Sequence, residues 1–192
     1  VGFSGIYVDW LWFKSVDFSS VWTTVLTTKV ELFAIFGLLT SAILLSNIVI
    51  AYRKRPIYVP SGFVNNPLEQ LRGQIQPFIK WVGVALFIAI TYFAGSSSVK
   101  LWEQYLLFKN STDFGVKDPQ FNLDISFFTF KLPFYEDLIA WGISTLIMAL
   151  LATLFVHYMY GGIRQPGQGE RTTVVARVQI SIIVGLIVAL KA

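Results

Sequence analysis

A single histidine is the first residue of this sequence that could carry chemistry. His157 lies near the end of a long apolar run, beside Tyr158 and Tyr160. An imidazole inside a membrane can ligate haem iron or chlorophyll magnesium, or carry a proton. The alternative is a structural histidine whose ring is hydrogen-bonded to protein groups near the membrane surface. We favour the structural role and keep His157 as a candidate ligand of haem or chlorophyll.

A second candidate is a group of oxygen ligands. Asp118, Asn122 and Asp124 lie within one polar segment and could bind a Ca2+ ion. Their spacing does not match the EF-hand loop, however, and Asp before Pro119 is also common turn chemistry. The group is therefore either a metal site or a set of turn residues, and we favour the turn.

No set of catalytic residues is evident. The sequence has no cysteine, which excludes thiolate nucleophiles and disulfides. Glu136 and Asp137 are adjacent, so on a helix they would diverge by about 100° and could not share one reacting group. The segment 166–170 lacks the Gly-Lys-Ser/Thr of a phosphate-binding loop. We predict a non-enzymatic protein that needs no cofactor.

These candidates lie in or between long apolar runs. Of the 192 residues, 55% are hydrophobic and 14% are charged, whereas soluble domains carry about 25% charged residues. The run from Leu32 to Tyr52 has no charged residue and is long enough to cross a ~30 Å hydrocarbon core. We predict an all-α integral membrane helix bundle with three complete transmembrane helices and a fourth that looks truncated. The predicted spans are about 30–52, 78–97, 138–160 and 176–192.

Charge indicates which segments share a side of the membrane. The connections after the first and third spans, with their flanks, hold eight Lys and Arg against two acids, whereas the other polar segments hold six against nine. The positive-inside rule then makes 53–77 and 161–175 cytoplasmic, and 1–29 and 98–137 extracytoplasmic. We expect the outer segment to hold an interfacial helix and an extended aromatic run from Ile125 to Phe130. Topology accounts for the net charge of +4, so we expect no nucleic-acid partner.

Small residues at four-residue spacing predict where helices pack, because they let backbones approach closely in lipid. The predicted packing faces are Gly37 with Ser41, Ala85 with Ala89, Ala149 with Thr153, and Ser181 with Gly185 and Ala189. Asn47 is the only amide that we assign to the interior of a span, and we expect it to join helices. We therefore expect the lipid bilayer and other membrane protein subunits as partners.

These features favour a structural or accessory subunit, or an anchor, within a larger membrane complex. The first alternative is part of a channel or transporter, which needs a polar path at bilayer depth. Thr40, Ser41 and Asn47 are the residues that could line such a path. The second alternative is a subunit that contacts haem or chlorophyll through His157.

Three stretches also resemble a known family. They are DWLWFKS at 9–15, FGVKDPQFNLDISFFTFKLPF at 114–134 and HYMYGGIR at 157–164. Together they resemble uncharacterised protein family 0182 (UPF0182), a family of bacterial multi-pass membrane proteins. The resemblance implies a location in the bacterial plasma membrane and a match to the N-terminal membrane part only. It also implies further spans and a large extracytoplasmic domain beyond Ala192, and a helix before Val1.

Overall fold

The computed structural model describes residues 3–55, 73–163 and 172–192. Within these ranges the chain is helical, and its only β-type pairing is two isolated bridges. The predicted all-α class is therefore confirmed. A π-helix, Phe127–Lys131, leads directly into α5. The α-helices are α1 (Phe3–Ser15), α2 (Ser19–Arg53), α3 (Ile79–Ser98), α4 (Trp102–Lys109), α5 (Leu132–Met159) and α6 (Val174–Lys191).

Four stretches of the described chain are long and apolar enough to cross a membrane. They are Ser19–Arg53, Gly73–Lys109, Phe127–Met159 and Val174–Lys191. A helix can span a bilayer because all its backbone hydrogen bonds are internal. The fold is thus a helix bundle compatible with a multi-pass membrane protein. The last stretch has 18 residues, within the ~17 to 25 that a span requires. Most of the predicted cytoplasmic connections, 56–72 and 164–171, lies outside the described residues.

The chain forms two compact units, and the first comprises Val1–Leu38 with Tyr92–Glu136. In it, α3 lies so close to α2 that a Cβ added to Gly95 would be 2.7 Å from the Phe33 ring and 2.8 Å from its carbonyl oxygen. An aromatic cluster joins α4 to the start of α5, with ring centroids of Phe108 and Phe134 4.9 Å apart. Glycine and aromatic contacts therefore hold this unit together.

The aromatic run in the first unit is helical, so our prediction of an extended segment from Ile125 to Phe130 is wrong. Asp124 precedes the helix and caps it. Its carboxylate accepts a hydrogen bond from Ser126 N–H at 2.9 Å, and its carbonyl accepts one from Phe127 N–H at 3.0 Å. A capped start of this kind satisfies N–H groups that have no partner within the helix. This cap and the aromatic contacts outweigh the extended preference of the Phe-rich run.

The second unit comprises Leu39–Thr91 with Asp137–Ala192. Its interior is lined by a row of small and polar residues on α5 at four-residue spacing, which one helix face must share. The row consists of Thr145, Ala149, Thr153 and His157, all buried. The buried residues of α6 are Ala176, Gln179 and Ile183. A polar interior of this kind is where the candidate site lies.

Candidate functional site

The end of α5 places His157. Gly162 N–H donates to the His157 carbonyl at 2.7 Å, and Gly161 N–H donates to the Tyr158 carbonyl at 3.3 Å. Gly161 has a φ of 72°, a left-handed conformation that glycine adopts without strain. This is the Schellman arrangement, which satisfies the last carbonyl groups of a helix. The glycine pair therefore ends α5 one turn after His157.

The His157 ring is enclosed on both sides. The side chain is 2% exposed, and its Nε2 lies 3.0 Å from Oε1 of Gln179 on α6. On the other side, a Cβ added to Gly162 would be 2.7 Å from Nδ1. Glycine at 162 thus makes room for the ring beside the backbone. Both ring nitrogens face protein atoms.

Gln179 extends the network to α2. Its Nε2 donates to the carbonyl oxygen of Asn47 at 3.0 Å and to Asn47 Oδ1 at 3.2 Å. Asn47 Nδ2 in turn donates to the Ile43 carbonyl at 2.8 Å within α2. One side chain on α6 therefore bonds both α5 and α2. We call His157, Gln179 and Asn47 the amide–histidine network.

Backbone carbonyls determine the direction of these hydrogen bonds. A carbonyl oxygen only accepts, so the nitrogen of each amide must face it. Gln179 therefore turns Nε2 to Asn47 and Oε1 to His157, and His157 Nε2 must donate. In the neutral ring the proton is then on Nε2, an assignment that follows from the hydrogen-bond partners. Each hydrogen bond of the network then runs from a nitrogen donor to an oxygen acceptor.

This geometry bears on the cofactor prediction. A haem or chlorophyll metal binds a ring nitrogen that no other group occupies. In His157, Nε2 is engaged by Gln179 and Nδ1 lies against Gly162. Cofactor ligation by His157 stays a prediction, and the ring already has a structural use.

Gln179 is the functional residue that our sequence reasoning missed. We treated Asn47 as the only amide within a span, yet Gln179 falls inside the predicted span 176–192. It is 8% exposed. An amide in an otherwise apolar run is the signal that could have found it, because such a group needs a partner in lipid.

Two more hydrogen bonds connect α2 to its neighbours in this unit. Trp141 Nε1 on α5 donates to Thr40 Oγ1 at 3.1 Å. The hydroxyls of Ser41 and Thr91, on α2 and α3, lie 2.6 Å apart. Ser41 is completely buried, and Gly37 one turn earlier is buried too. Of the predicted packing faces, Gly37 with Ser41 thus faces protein, as does Ala149 with Thr153.

The other predicted faces point outward. Ser181, Gly185 and Ala189 are exposed. Beyond the chain neighbours and local backbone of Gly185, no atom of the described residues lies within 4 Å of a Cβ added there. Ala85 and Ala89 on α3 are exposed as well. The described residues therefore do not cover these small-residue stripes.

Asp118 and Asn122, two of the candidate metal-binding residues, organise a tight turn between the spans. Asp118 Oδ1 accepts hydrogen bonds from the N–H groups of Gln120 at 2.9 Å and Phe121 at 2.8 Å. Asn122 has a φ of 56°, a left-handed conformation that asparagine tolerates, and its N–H donates to the Asp118 carbonyl at 2.9 Å. These bonds are typical of a turn stabilised by aspartate.

The Asp124 carboxylate also accepts hydrogen bonds from backbone N–H groups. Its two carboxylate oxygens accept from Phe114 N–H at 3.1 Å and Gly115 N–H at 2.9 Å. Hydrogen bonds from the Ser126 hydroxyl and from these backbone groups lower the pKa of Asp124 to about 2. Within the described ranges, no three His, Asp or Glu side chains form a group that could hold a metal ion. Metal binding by Asp118, Asn122 and Asp124 stays a prediction.

An aromatic and cationic cluster lies at the same end of the second unit as the network. The rings of Tyr52, at the end of α2, and Tyr160, just after α5, meet edge to face with centroids 5.3 Å apart. The Arg55 guanidinium carbon lies 3.9 Å from the Tyr52 centroid and 5.0 Å from that of Tyr160. We call these three residues the tyrosine–arginine cluster.

The family profile described as "Uncharacterised protein family (UPF0182)" matches residues 1–192. The chain belongs to the UPF0182 family. It is 40% identical to a UPF0182 protein of Streptomyces coelicolor over 99% of the chain, and 39% identical to one of Rhodococcus erythropolis over 98%. A UPF0182 protein of Frankia alni is 41% identical over 96%.

The UPF0182 chain spans 19% of the length of the Streptomyces and Rhodococcus relatives and 18% of the Frankia relative. No solved structure matches it significantly. The stretches that carried the resemblance, including 114–134 and 157–164, thus lie inside a match that covers the whole chain.

Proposed function

We propose that this UPF0182 chain is a non-enzymatic helix bundle of the bacterial plasma membrane, which acts as a structural or accessory subunit, or an anchor, of a larger membrane complex. The observation that carries the proposal is the amide–histidine network. Its side chains, buried in His157 and Gln179 and half-buried in Asn47, are hydrogen-bonded in series across α2, α5 and α6. Polar groups used in this way join helices and are not free to bind a substrate.

The other helix contacts support the same function. Thr40 and Ser41 are each hydrogen-bonded to a residue of another helix. Interhelical hydrogen bonds and close small-residue contacts are what drive helix association in lipid. The bacterial relatives and the four apolar helices support the location.

The exposed stripe of Ser181, Gly185 and Ala189 is the contact face that we propose for a partner helix. The test is purification of the intact protein from a mild-detergent extract, in which fixed partners should copurify with it. Gly185→Leu should lose those partners, since a larger side chain prevents close approach, whereas Leu186→Phe on a neighbouring face should keep them. A monomeric, partner-free particle, or equal behaviour of both variants, would count against the proposal.

One observation favours the second candidate, part of a channel or transporter. The Thr153 hydroxyl is buried in the interior of the second unit and has no hydrogen-bond partner among the residues that the structure describes. A water molecule could supply that partner, and a row of such waters would form a polar path. Ion or solute flux into liposomes that contain the intact protein, reduced in Thr153→Val, would favour this candidate over the first.

A further inference from the structure

We propose that the tyrosine–arginine cluster binds the phosphate headgroup of an anionic phospholipid in the leaflet next to the ends of α2 and α5. The site consists of Arg55 with Tyr52 and Tyr160, together with the basic residues beside it. The proposal goes beyond the structural function above. The lipid site itself does not depend on the proposed orientation of the chain in the membrane. Only the assignment of this leaflet as the inner, cytoplasmic one depends on that orientation.

The first argument is the way in which Arg55 is held. Its guanidinium carbon lies 3.9 Å from the Tyr52 ring centroid and 5.0 Å from that of Tyr160. The two rings stand at 83° to each other, so the shorter contact, to Tyr52, is the one that fits stacking. A stacked guanidinium lays its flat face on the ring and points its N–H donors outward in the plane. Those donors match two oxygens of one phosphate in a bidentate contact. The rings therefore orient Arg55 and leave its binding edge unused by the contacts that hold it.

The second argument is charge complementarity. Arg53 and Lys54 precede Arg55 at the end of α2 and are exposed, and Arg177 is exposed in the first turn of α6. The ranges 53–55, 73–80, 157–163 and 172–179, which the structure describes at these helix ends, contain no carboxylate. An anionic group would meet positive charge there without competition from acidic side chains in these ranges.

The third argument is depth. Tyr52 and Tyr160 stand where the apolar spans of α2 and α5 end. Tyrosine is enriched at this level of a membrane because its ring is apolar and its hydroxyl is polar. Headgroup phosphates lie at the same level, so a lipid can bring its phosphate to Arg55 while its chains cover the exposed apolar side chains nearby. This favours a lipid over a free phosphate.

The test is native mass spectrometry of the intact protein, purified in mild detergent and titrated with phosphatidylglycerol or phosphatidylcholine. We expect preferential retention of phosphatidylglycerol. Loss of one basic residue near an anionic lipid surface weakens binding about fivefold, so Arg55→Gln should do at least that. Arg55→Lys should weaken binding similarly, because lysine keeps the charge but lacks the planar fork.

Matched variants distinguish a built site from general surface charge. Lys54→Gln removes the same charge as Arg55→Gln and should change retention less. Tyr52→Leu should weaken binding although no charge changes, whereas Tyr52→Phe should preserve it. Equal effects of Lys54→Gln and Arg55→Gln, or wild-type retention in Arg55→Lys and Tyr52→Leu, would overturn the site.

A competition experiment with inorganic phosphate shows whether the cluster binds a lipid headgroup or free phosphate. Phosphate at millimolar concentration should leave the bound lipid in place, and full displacement would overturn the commitment to a lipid. Far-UV circular dichroism and melting temperature show which variants remain folded. If Arg55→Gln does not fold, the lipid retention of Arg55→Lys is compared with that of the wild type instead. Lipid retention does not depend on which side of the membrane the cluster faces. A loss of lipid retention is therefore distinguishable from a failure of the proposed topology or of partner copurification.

Discussion

Replacing Gln179 by leucine tests the amide–histidine network directly. The substitution removes one hydrogen bond to His157 and two to Asn47. Interhelical hydrogen bonds in membrane proteins contribute about 0.6 kcal/mol each, so the three account for roughly 2 kcal/mol. The His157 Nε2–H would also lose its partner in a buried site, which costs about 1–3 kcal/mol. Because these contributions overlap, we expect a loss of about 3 kcal/mol in the free energy of unfolding.

A double-mutant cycle separates the network from simple changes in packing. In His157→Leu/Gln179→Leu both partners are apolar and no donor is orphaned, which can be nearly neutral for stability. The double variant should therefore lose less stability than the sum of the two single variants, by about 1–2 kcal/mol.

The assay is reversible unfolding of the purified protein in mixed micelles, as the fraction of a denaturing detergent is raised and helix content is followed by circular dichroism. Ser144→Leu is the control, because it makes a polar-to-leucine change on the exposed face of α5, away from the proposed partner contact. Its effect should stay within about 0.5 kcal/mol. Single-variant losses that add to the double-variant loss within about 0.5 kcal/mol would refute the reasoning, since independent sites behave that way.

Three further predictions concern other parts of the chain. Gly95→Ala should reduce the free energy of unfolding by about 1–3 kcal/mol, because its Cβ would meet Phe33 at 2.7 Å and force a shift. Gly83→Ala on the same helix should be neutral or slightly stabilising, because an added Cβ there would meet no other side chain of the described residues within 4 Å. Because the pKa of Asp124 is lowered from 3.8 to about 2, its contribution to stability is present above pH 3.8 and is lost as the pH falls toward 2; limited pepsin digestion of the turn should therefore accelerate over that window in the wild type and show a flatter dependence in Asp124→Asn. Reporters fused after Arg55 and after Phe121 should report opposite sides of the membrane, and a common side would exclude the proposed topology.

The fold class was predictable because lipid leaves the backbone few choices. A long uncharged run such as Leu32 to Tyr52 must satisfy its own N–H and C=O groups, and a helix does so within one segment. Local signals between the spans were harder to weigh. The Phe-rich run after Asp124 favours a strand by composition, but Asp124 caps a helix there, and composition cannot show where a side chain will find an N–H group.

The candidate site was predictable only in part. Asn47 could be identified from sequence as a residue that joins helices, but its partner Gln179 is 132 residues away in sequence. Nothing local relates those two positions. The small residues of α6 lie on another side of that helix, because the face that contacts the rest of this unit holds Gln179 instead of Gly185. A polar side chain loses more by facing lipid than a glycine gains by close contact, so the amide sets the orientation of the helix.

The arrangement of polar residues on α2 explains how one helix can specify three neighbours in the second unit. Thr40 and Asn47 are seven residues apart, close to two helical turns, so they share a face; Thr40 bonds α5 and Asn47 bonds α6. Ser41 is turned by about 100° from Thr40 and meets α3. Apolar side chains discriminate poorly between helices in lipid, so directional bonds must set the register. A one-residue slip of α2 would rotate all three residues away from their partners at once, which makes the register of this unit a cooperative property of Thr40, Ser41 and Asn47.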